Sequence, residues 1–316
     1  MEAALNQHVV VTGGAGYIGS ILVPELLRNN FQVTVIDNLM YKQKSLAAIQ
    51  ASDRYQFIEG DVREIDQLVP YFEKADVIIP LAALVGAPLC DQRPEEAVQI
   101  NQEAIRKMCG VLSERQKILI PTTNSGYGIG EKGKMCTEES PMNPLSLYAR
   151  TKVEAEKIVL RRQNSISFRL ATVFGVSPRM RIDLLVNDFT YRAWKDGSLE
   201  IFEGHFKRNY IHVKDVARAF LHGINHFSKL CGQVYNVGLS EANLSKLELC
   251  QAIQNHLPSF KFTESATGKD PDQRDYIVSN EKIEKTGFKP THRLDDGIRE
   301  LIEAYTKQEV CISRNA

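Results

Sequence analysis

Tyr148 and Lys152 are four residues apart in a segment, residues 146–161, whose pattern predicts a helix, so their side chains lie one turn apart on one face. A tyrosine can remove the proton of an alcohol near neutral pH if its pKa falls from about 10 to about 7, which requires roughly 4 kcal/mol. One ammonium group at about 4 Å supplies that order of energy. Thr123 can hydrogen-bond the reacting oxygen and orient it. Together the three residues predict the deprotonation of a hydroxyl group, as in its oxidation to a carbonyl group.

The spacing of Tyr148 and Lys152 is weak evidence alone, because the chain has 11 tyrosines and chance matches are expected. Tyr191 and Tyr210 also have a lysine four residues later. Tyr191, however, lies in an apolar-periodic segment typical of packing, and Tyr210 lies in a predicted strand. Tyr148 instead opens a helix one βα step after a strand that ends in hydroxyl side chains. We therefore expect Tyr148 to be the base.

The elements that would position these residues begin with a β-branched strand, residues 8–12, that runs into Gly13, Gly16 and Gly19. Glycines between a strand and a helix let backbone N–H groups approach a pyrophosphate at the helix start. A glycine triplet alone would favour an ordinary turn. A second predicted strand ends in Asp37, about 20 residues further on, where an acidic side chain binds ribose hydroxyls. Both halves together predict a dinucleotide site.

The residues after Asp37 indicate which dinucleotide binds. No arginine or lysine follows before Lys42. The 2′-phosphate of NADP would meet a like charge, at a cost of roughly 4 kcal/mol at about 4 Å. The sequence therefore predicts NAD.

Strands alternate with helices through the first half of the chain, which predicts an α/β fold with a doubly wound parallel sheet. Residues 168–175 read as one further buried strand. Beyond residue 178 the alternation is less regular, which indicates a smaller, mainly C-terminal α/β substrate domain. We expect the Rossmann domain to comprise residues 1–172 plus 206–238, and the substrate domain residues 173–205 plus 239–316. Pro24, inside the first helix, has no functional explanation.

Composition excludes several classes of function. Lysine plus arginine equal aspartate plus glutamate at 39 each, so net charge gives no argument for nucleic acid or an anionic membrane. We expect no signal peptide, no membrane span and no metal site, and six cysteines without C-x-x-C spacing predict a reduced, cytoplasmic protein. Four arginines in the second half have two open interpretations, a solvated surface or a clamp for substrate phosphates; they are Arg179, Arg181, Arg208 and Arg274.

Several motifs together carry a family resemblance: they are Gly13-x-x-Gly16-x-x-Gly19, Asp37-Asn38-Leu39, Gly60-Asp61-Val62, Thr123, Tyr148-x-x-x-Lys152 and residues 208–213. With them the chain resembles, over essentially its whole length, an extended short-chain dehydrogenase/reductase of the nucleotide-sugar epimerase/dehydratase family. The resemblance implies NAD as cofactor, a nucleotide-diphosphate sugar as substrate and a homodimer joined through helices near Met108 and Tyr148. It also implies that Arg208 and Arg274 contact the substrate diphosphate. The implied cofactor-binding residues are Gly13, Gly16, Tyr17, Ile18, Gly19, Asp37, Asn38, Leu39, Asp61, Val62, Leu81, Ala82, Ala83, Tyr148 and Lys152.

Three passages, residues 81–90, 123–132 and 169–192, more narrowly resemble the 4-dehydrogenases that act on GDP-manno-heptose in capsular polysaccharide biosynthesis. This likeness places Arg179, Arg181 and Asn187 near the substrate. Family dehydratases carry acidic residues directly after the catalytic threonine, whereas this chain has Asn124 and Ser125. We expect Asn124 to contact the sugar, but it cannot shuttle a proton at neutral pH.

The function predicted from the sequence is thus NAD-dependent oxidation at C4 of a nucleotide sugar, with a 4-keto or C4-inverted product and no 6-deoxy product. Two alternatives remain. One is a nucleotide-sugar 4-epimerase. The other, from a different class, is a non-catalytic NAD-sensing binding protein, against which the intact Thr123, Tyr148 and Lys152 argue. The sequence leaves open the nucleotide base, the sugar and whether the 4-keto product is released.

Overall fold

The computed structural model describes residues 7–49, 52–265, 274–308 and 314–315. Its centre is a seven-stranded sheet in the order β11-β7-β5-β4-β1-β2-β3, in which every pairing is parallel. The strands are β1 His8–Thr12, β2 Gln32–Asp37, β3 Tyr55–Glu59, β4 Val77–Pro80, β5 Lys117–Thr123, β7 Ser165–Leu170 and β11 Gln233–Val237. This architecture confirms the predicted α/β fold with a doubly wound parallel sheet.

Three smaller sheets lie outside the central one, and their strands are β6 Met135–Cys136, β8 Thr172–Phe174, β9 Ser198–Ile201, β10 Lys207–His212, β12 Asn243–Ser245, β13 Lys261–Glu264 and β14 Ile277–Val278. β10 pairs with β8 and β12, β9 with β13, and β6 with β14. The prediction of one strand over residues 168–175 was wrong. The chain leaves the central sheet at Ala171, and β8 then pairs with β10.

The helices are α1 Gly19–Arg28, α2 Ile65–Phe72, α3 Ala87–Gln92, α4 Pro94–Val98, α5 Ala104–Val111, α6 Leu147–Val159, α7 Leu185–Asp196, α8 Val213–Asn225, α9 Phe227–Leu230, α10 Lys246–His256, α11 Glu281–Glu284 and α12 Leu294–Thr306. A π-helical turn, Gln99–Glu103, joins α4 to α5, and a 3₁₀ turn, Asn124–Tyr127, follows β5. α1 continues through Pro24. None of the helices in the described part of the chain is long and apolar enough to span a membrane.

The apolar core has three main parts, one of which packs α2, α5 and α6 against the central sheet. A second part also lies against the central sheet and joins β1 and β2 to α1 and α8, with Val9, Leu22 and Phe220 fully buried. The third joins α7, α10 and α12 around Leu249, Ile298 and other buried side chains. This third core holds the C-terminal helices beside the carboxyl ends of the central strands. The residue boundaries proposed for two domains stay a prediction.

Candidate active site

A cleft of about 610 Å³ lies at the carboxyl ends of the central strands. Ligands bind at this edge in open parallel sheets. Its walls bring together the predicted cofactor, catalytic and substrate residues from both halves of the chain. The predicted site residues on the wall are Gly13, Gly16, Tyr17, Ile18, Gly19, Asp37, Asn38, Asp61, Val62, Leu81, Ala82, Ala83, Thr123, Tyr148, Lys152, Arg179, Arg181, Arg208 and Arg274.

The backbone around the glycine loop packs so tightly that it leaves no room for a side chain at Gly13 or Gly19. Gly13 has φ +69°, and a Cβ atom there would lie 2.5 Å from the backbone nitrogen of Ala82. A Cβ atom on Gly19 would lie 2.3 Å from the backbone oxygen of Gly14. The first turn of α1 has no capping side chain and no acidic residue. A helix start of this kind, at the floor of a cleft, fits the pyrophosphate of NAD.

Asp37 lies at the end of β2, where its carboxylate is held by the surrounding backbone. It accepts hydrogen bonds from the N–H groups of Ala15 at 3.0 Å and Leu39 at 2.9 Å. Burial raises the pKa of Asp37 above its ordinary value. The bond from Leu39 fixes the turn after β2, but Leu39 itself is not part of the cleft wall. This rigid carboxylate fits the ribose of the cofactor's adenosine.

Asp61, after β3, is the second acidic residue at this end of the cleft. Its carboxylate accepts hydrogen bonds from the side chains of Asn38, at 3.0 Å, and Arg63, at 2.7 Å. The Arg63 side chain lowers the pKa of Asp61 to about 2. Asp61 is therefore a fixed negative charge and hydrogen-bond acceptor beside the cofactor site.

Helix α6 places Tyr148 and Lys152 in its first two turns. The helix begins after Ser146, whose hydroxyl accepts a hydrogen bond from the N–H group of Ala149 at 3.2 Å. Tyr148 is hydrogen-bonded to Thr123, which lies at the end of β5. The structure thus brings the three residues of the predicted catalytic set into one cleft.

Burial dominates the titration of this set. It raises the pKa of Tyr148 to about 12, against the opposing charges of Arg181 and Arg274. Burial also lowers the pKa of Lys152 to about 8. The sequence predicts that Lys152 lowers the pKa of the tyrosine, whereas in the structure the positive charges that oppose burial belong to Arg181 and Arg274.

The four arginines are not a solvated surface. Arg179, Arg181 and Arg208 are buried, and each lines the cleft with Arg274. Arg179 stacks over the ring of Tyr41, with 4.6 Å between the guanidinium carbon and the ring centroid. A buried group of cations in a cleft is suited to bidentate recognition of phosphate.

Individual contacts hold these arginines in place. Arg179 donates to the side-chain oxygen of Asn315 at 2.9 Å. Arg181 forms a two-point ion pair with Asp183. Arg274 donates to the hydroxyl of Ser125, which also accepts a hydrogen bond from Thr123 at 2.8 Å. Asp272 and Gln273, the two residues before Arg274, lie outside the described residues.

The structure does not place the two predicted asparagines on the cleft wall. Asn187 is fully buried, accepts from the N–H group of Gly175 at 3.0 Å and donates to the carbonyl of Arg181 at 2.9 Å. The prediction that Asn187 contacts the substrate is therefore corrected: this side chain holds the loop that carries Arg181. Asn124 is also buried, and its amide has no hydrogen-bond partner among the described residues. The group that faces the cleft after Thr123 is Ser125.

Sequence reasoning missed Asn101, which lies in the π-helical turn. Its amide accepts from the N–H group of Leu84 at 2.8 Å, donates to the carbonyl of the same residue at 2.9 Å and donates to Thr151 at 3.2 Å. It therefore links the chain after β4 to the helix that carries Tyr148 and Lys152. A polar residue on the buried face of an apolar helix was the only signal in the sequence.

Cys90 was also missed, since no spacing marked it. Its thiol is buried, and burial raises its pKa to about 11. The five cysteines in the described part of the chain are free. No group of three or more His, Cys, Asp or Glu side chains in that part is arranged to hold a metal ion.

Comparisons with known proteins agree with this geometry. The low-salt glycan biosynthesis protein Agl12 of Haloferax volcanii is 28% identical over 312 residues, 94% of this chain and 98% of that protein. Human dTDP-D-glucose 4,6-dehydratase is 26% identical, over 96% of this chain and 91% of that protein. The crystal structure of a UDP-glucuronic acid 4-epimerase from Bacillus cereus, in complex with UDP-glucuronic acid and NAD, is 25% identical. It matches with a TM-score of 0.83 over 96% of this chain and 100% of that one.

Residues 9–238 match the NAD dependent epimerase/dehydratase family. The match covers the glycine loop, both acidic strand ends, the catalytic set and Arg208. The cleft supplies a fitting site for the cofactor that the family uses. The chain therefore belongs to the NAD-dependent epimerase/dehydratase family of extended short-chain dehydrogenases/reductases and is an NAD-dependent enzyme.

Proposed function

We propose that the protein oxidises C4 of a nucleotide-diphosphate sugar, with Tyr148 as base, and gives a 4-keto sugar. One observation carries this proposal: Thr123, Tyr148 and Lys152 line the same cleft as the glycine loop. A binding protein that only senses NAD would not need a hydrogen-bonded threonine–tyrosine pair beside a buried lysine. The enzyme class is therefore preferred to the sensor.

Three side chains perform the proton transfer in this proposal. Thr123 hydrogen-bonds the C4 hydroxyl group, and Tyr148 removes its proton as the C4–H bond breaks. Bound NAD supplies the acceptor for the hydride. Lys152, one helical turn away, stabilises the phenolate and can hydrogen-bond the ribose of the cofactor. The positive charges of Arg181 and Arg274 oppose the rise in the pKa of Tyr148 that burial causes.

The buried arginines form the other end of the site. Arg208 and Arg274 would neutralise the diphosphate of the substrate, and Arg179 and Arg181 extend this positive wall. With the phosphates fixed at this end, the sugar ring reaches toward Tyr148. Because Asn187 packs behind Arg181, it would act on the substrate only through that arginine.

The residues after Thr123 favour a product that keeps its C6 oxygen. Removal of water across C5 and C6 requires an acid and a base at that side of the sugar. Ser125 lines the cleft there and is bonded to Arg274, while Asn124 is buried behind the wall. Neither side chain can transfer a proton at neutral pH. We therefore expect no 4-keto-6-deoxy product.

For the substrate we propose a GDP-linked manno-heptose or hexose. Support comes from the three passages, residues 81–90, 123–132 and 169–192, that resemble the 4-dehydrogenases of capsular polysaccharide biosynthesis. We also propose a cytoplasmic location, which the free cysteines favour, and a homodimer through α5 and α6. Light scattering of the purified protein measures the oligomeric state.

A second candidate is a 4-epimerase, in which the hydride returns to the opposite face of the same sugar. The similarity to the UDP-glucuronic acid 4-epimerase of Bacillus cereus favours it. The two reactions share the first half and differ in whether the ring turns about its diphosphate bonds.

One experiment tests the proposal and separates the candidates. The purified protein is denatured, its released ligands are identified by mass spectrometry, and the enzyme is incubated with a panel of GDP-, UDP- and dTDP-linked sugars. A 4-keto sugar with its C6 oxygen retained, detected by NMR, is the expected product. A C4-inverted sugar would establish the epimerase, and a 4-keto-6-deoxy sugar as the main product would overturn both.

A further inference from the structure

Glu156 is a buried carboxylate for which the proposed reaction has no use. It lies on α6 four residues after Lys152, so the two side chains are neighbours on one face of the helix. Both residues are at most 5% exposed. An acidic side chain so deeply buried needs partners, and the structure supplies them from two strands of the central sheet.

Five hydrogen bonds converge on this carboxylate. One oxygen accepts from the hydroxyls of Thr122, at 2.9 Å, and Ser167, at 2.7 Å, and from Nε of Arg169 at 3.2 Å. The other accepts from Arg169 at 2.7 and 3.1 Å. Thr122 is the residue directly before Thr123, and Ser167 and Arg169 lie on the adjacent strand β7. Glu156 therefore ties the end of β5 to the helix of Tyr148 and Lys152.

The charge of Glu156 also acts on Lys152. Burial lowers the pKa of Lys152 to about 8, and the carboxylate of Glu156 and the thiol of Cys90, on α3, raise it. Arg169 meets Glu156 but is not among the groups that shift Lys152. Charged side chains on the other helices packed against α6 are turned to solvent or bonded elsewhere: these are Asp91, Glu95, Glu96, Glu103, Arg106 and Lys107.

We propose that Glu156 is a positioning residue for this reaction, which fixes Thr123 against α6 and supplies the negative charge that keeps Lys152 protonated. The inference rests on the proposed function, because it assigns Glu156 a task through the catalytic set. A carboxylate used only to satisfy Arg169 would have no effect of its own on the ammonium group.

Two substitutions at the ion pair of Glu156 and Arg169 distinguish a carboxylate that acts on Lys152 from one that only satisfies Arg169. E156Q and R169Q each break the same pair, but the first removes a negative charge beside Lys152 and the second removes a positive one. The titration of Lys152 is followed by NMR of ¹³C-labelled lysine side chains in the enzyme with its bound cofactor, and K152M identifies the signal. We expect the titration midpoint of Lys152 to fall by at least half a pH unit in E156Q. In R169Q the same midpoint should remain unchanged or rise.

A control variant and a double variant complete this test. E154Q changes a half-buried glutamate of the same helix, paired with Lys157, and should leave the midpoint unchanged. If either single variant fails to fold, E156Q/R169Q removes both charges and should still lower the midpoint. Equal shifts in E156Q and R169Q, or no shift in either or in the double variant, would overturn the proposal.

Activity then separates this inference from the proposed function. The decline of kcat at high pH should begin at a lower pH in E156Q than in the parent, because Lys152 loses its proton earlier. A midpoint that moves while the profile of kcat does not would reject the role given to Lys152 in the reaction. A midpoint that does not move, in an enzyme that still requires Tyr148, would reject only the role of Glu156.

Discussion

The two ends of the cleft are built in different ways. At the cofactor end, Gly13, Gly19 and Asp37 come from adjacent elements within one β-α-β unit, and backbone N–H groups hold the carboxylate. At the substrate end, Arg181 and Arg274 come from segments far apart in the chain, and each is held by a side chain. The cofactor end is thus fixed by local geometry, whereas the substrate end depends on long-range contacts that single substitutions can rearrange.

This difference predicts that changes at the cofactor end alter which cofactor binds, while a change at Arg274 alters only the affinity for the sugar nucleotide. Arg179 is the exception, because its charge also acts on Asp37. Tyr148 and Lys152 lie where the two ends meet. Substitution of the Tyr148 hydroxyl should therefore lower turnover while NAD binding is retained, whereas substitution of Lys152 should also change stability and the contact with the cofactor's ribose.

The largest expected effect concerns the choice between NAD and NADP. The carboxylate of Asp37 would repel a 2′-phosphate by about 4 kcal/mol, which is about a thousandfold in affinity. D37N removes the charge and should reduce the preference for NAD to tenfold or less, as measured by titration calorimetry. Arg179 acts on Asp37 through its positive charge. The R179M variant removes that charge and should therefore prefer NAD over NADP more strongly than the parent does. Equal affinities for NAD and NADP in the parent would contradict the assignment.

Loss of the base is the next largest effect. Y148F removes the hydroxyl that takes the proton and should lower kcat at least about a hundredfold, while NAD binding is retained. Y191F is the control, because Tyr191 packs against Trp194 and Tyr305 away from the cleft. Normal turnover of the true substrate by Y148F would place the base elsewhere.

A substitution at the substrate end should have a smaller effect, confined to one ligand. R274Q removes a charged hydrogen-bond donor and should raise KM for the nucleotide sugar at least about tenfold. Affinity for NAD should stay within twofold of the parent value. R293Q, which changes an exposed arginine paired with Glu241, is the control. A comparable loss of NAD affinity in R274Q would mean that the two ends are not independent.

The same contrast explains how far the sequence could predict the site. The glycine loop, Asp37 and the pair of Tyr148 and Lys152 each depend on spacing within one or two elements, which periodicity and turn chemistry reveal. Their cofactor and catalytic roles stay predictions, but the structure brings them together. Part of the central sheet was predictable for the same reason, because strands such as β1 and β4 are short apolar runs.

Long-range packing accounts for what the sequence could not reveal. Nothing in the local pattern shows that Asn187 turns inward to hold Gly175, or that the chain leaves the central sheet at Ala171. Glu156 looks like any other charged residue of a helix until the partners on β5 and β7 are known. Side chains that act through residues distant in sequence become visible only in the folded protein.

The smallest expected effect is a pH-dependent gain in stability at the junction of the two ends. The pKa of Lys152 is about 8 in the folded protein, below its ordinary value of 10.5. The unfolded chain therefore binds more protons at this site than the folded chain between these two values, and stability rises with pH across the window. Between pH 8 and pH 9 the gain is about 1 kcal/mol, or about fivefold in the unfolding equilibrium.

Urea unfolding at pH 8 and pH 9 gives the change in the free energy of unfolding with pH for the parent and for K152M. The gain due to Lys152 is the change in the parent minus the change in K152M. The comparison is needed because other groups oppose the trend. Burial raises the pKa of Cys90 to about 11, so the unfolded chain loses that proton first and stability falls as pH rises above 9. K152M keeps the thiol contribution and lacks the lysine. If the parent gains no more stability than K152M between the two pH values, the pKa of Lys152 is not lowered in the folded protein, and the desolvation of this lysine in the cleft is refuted.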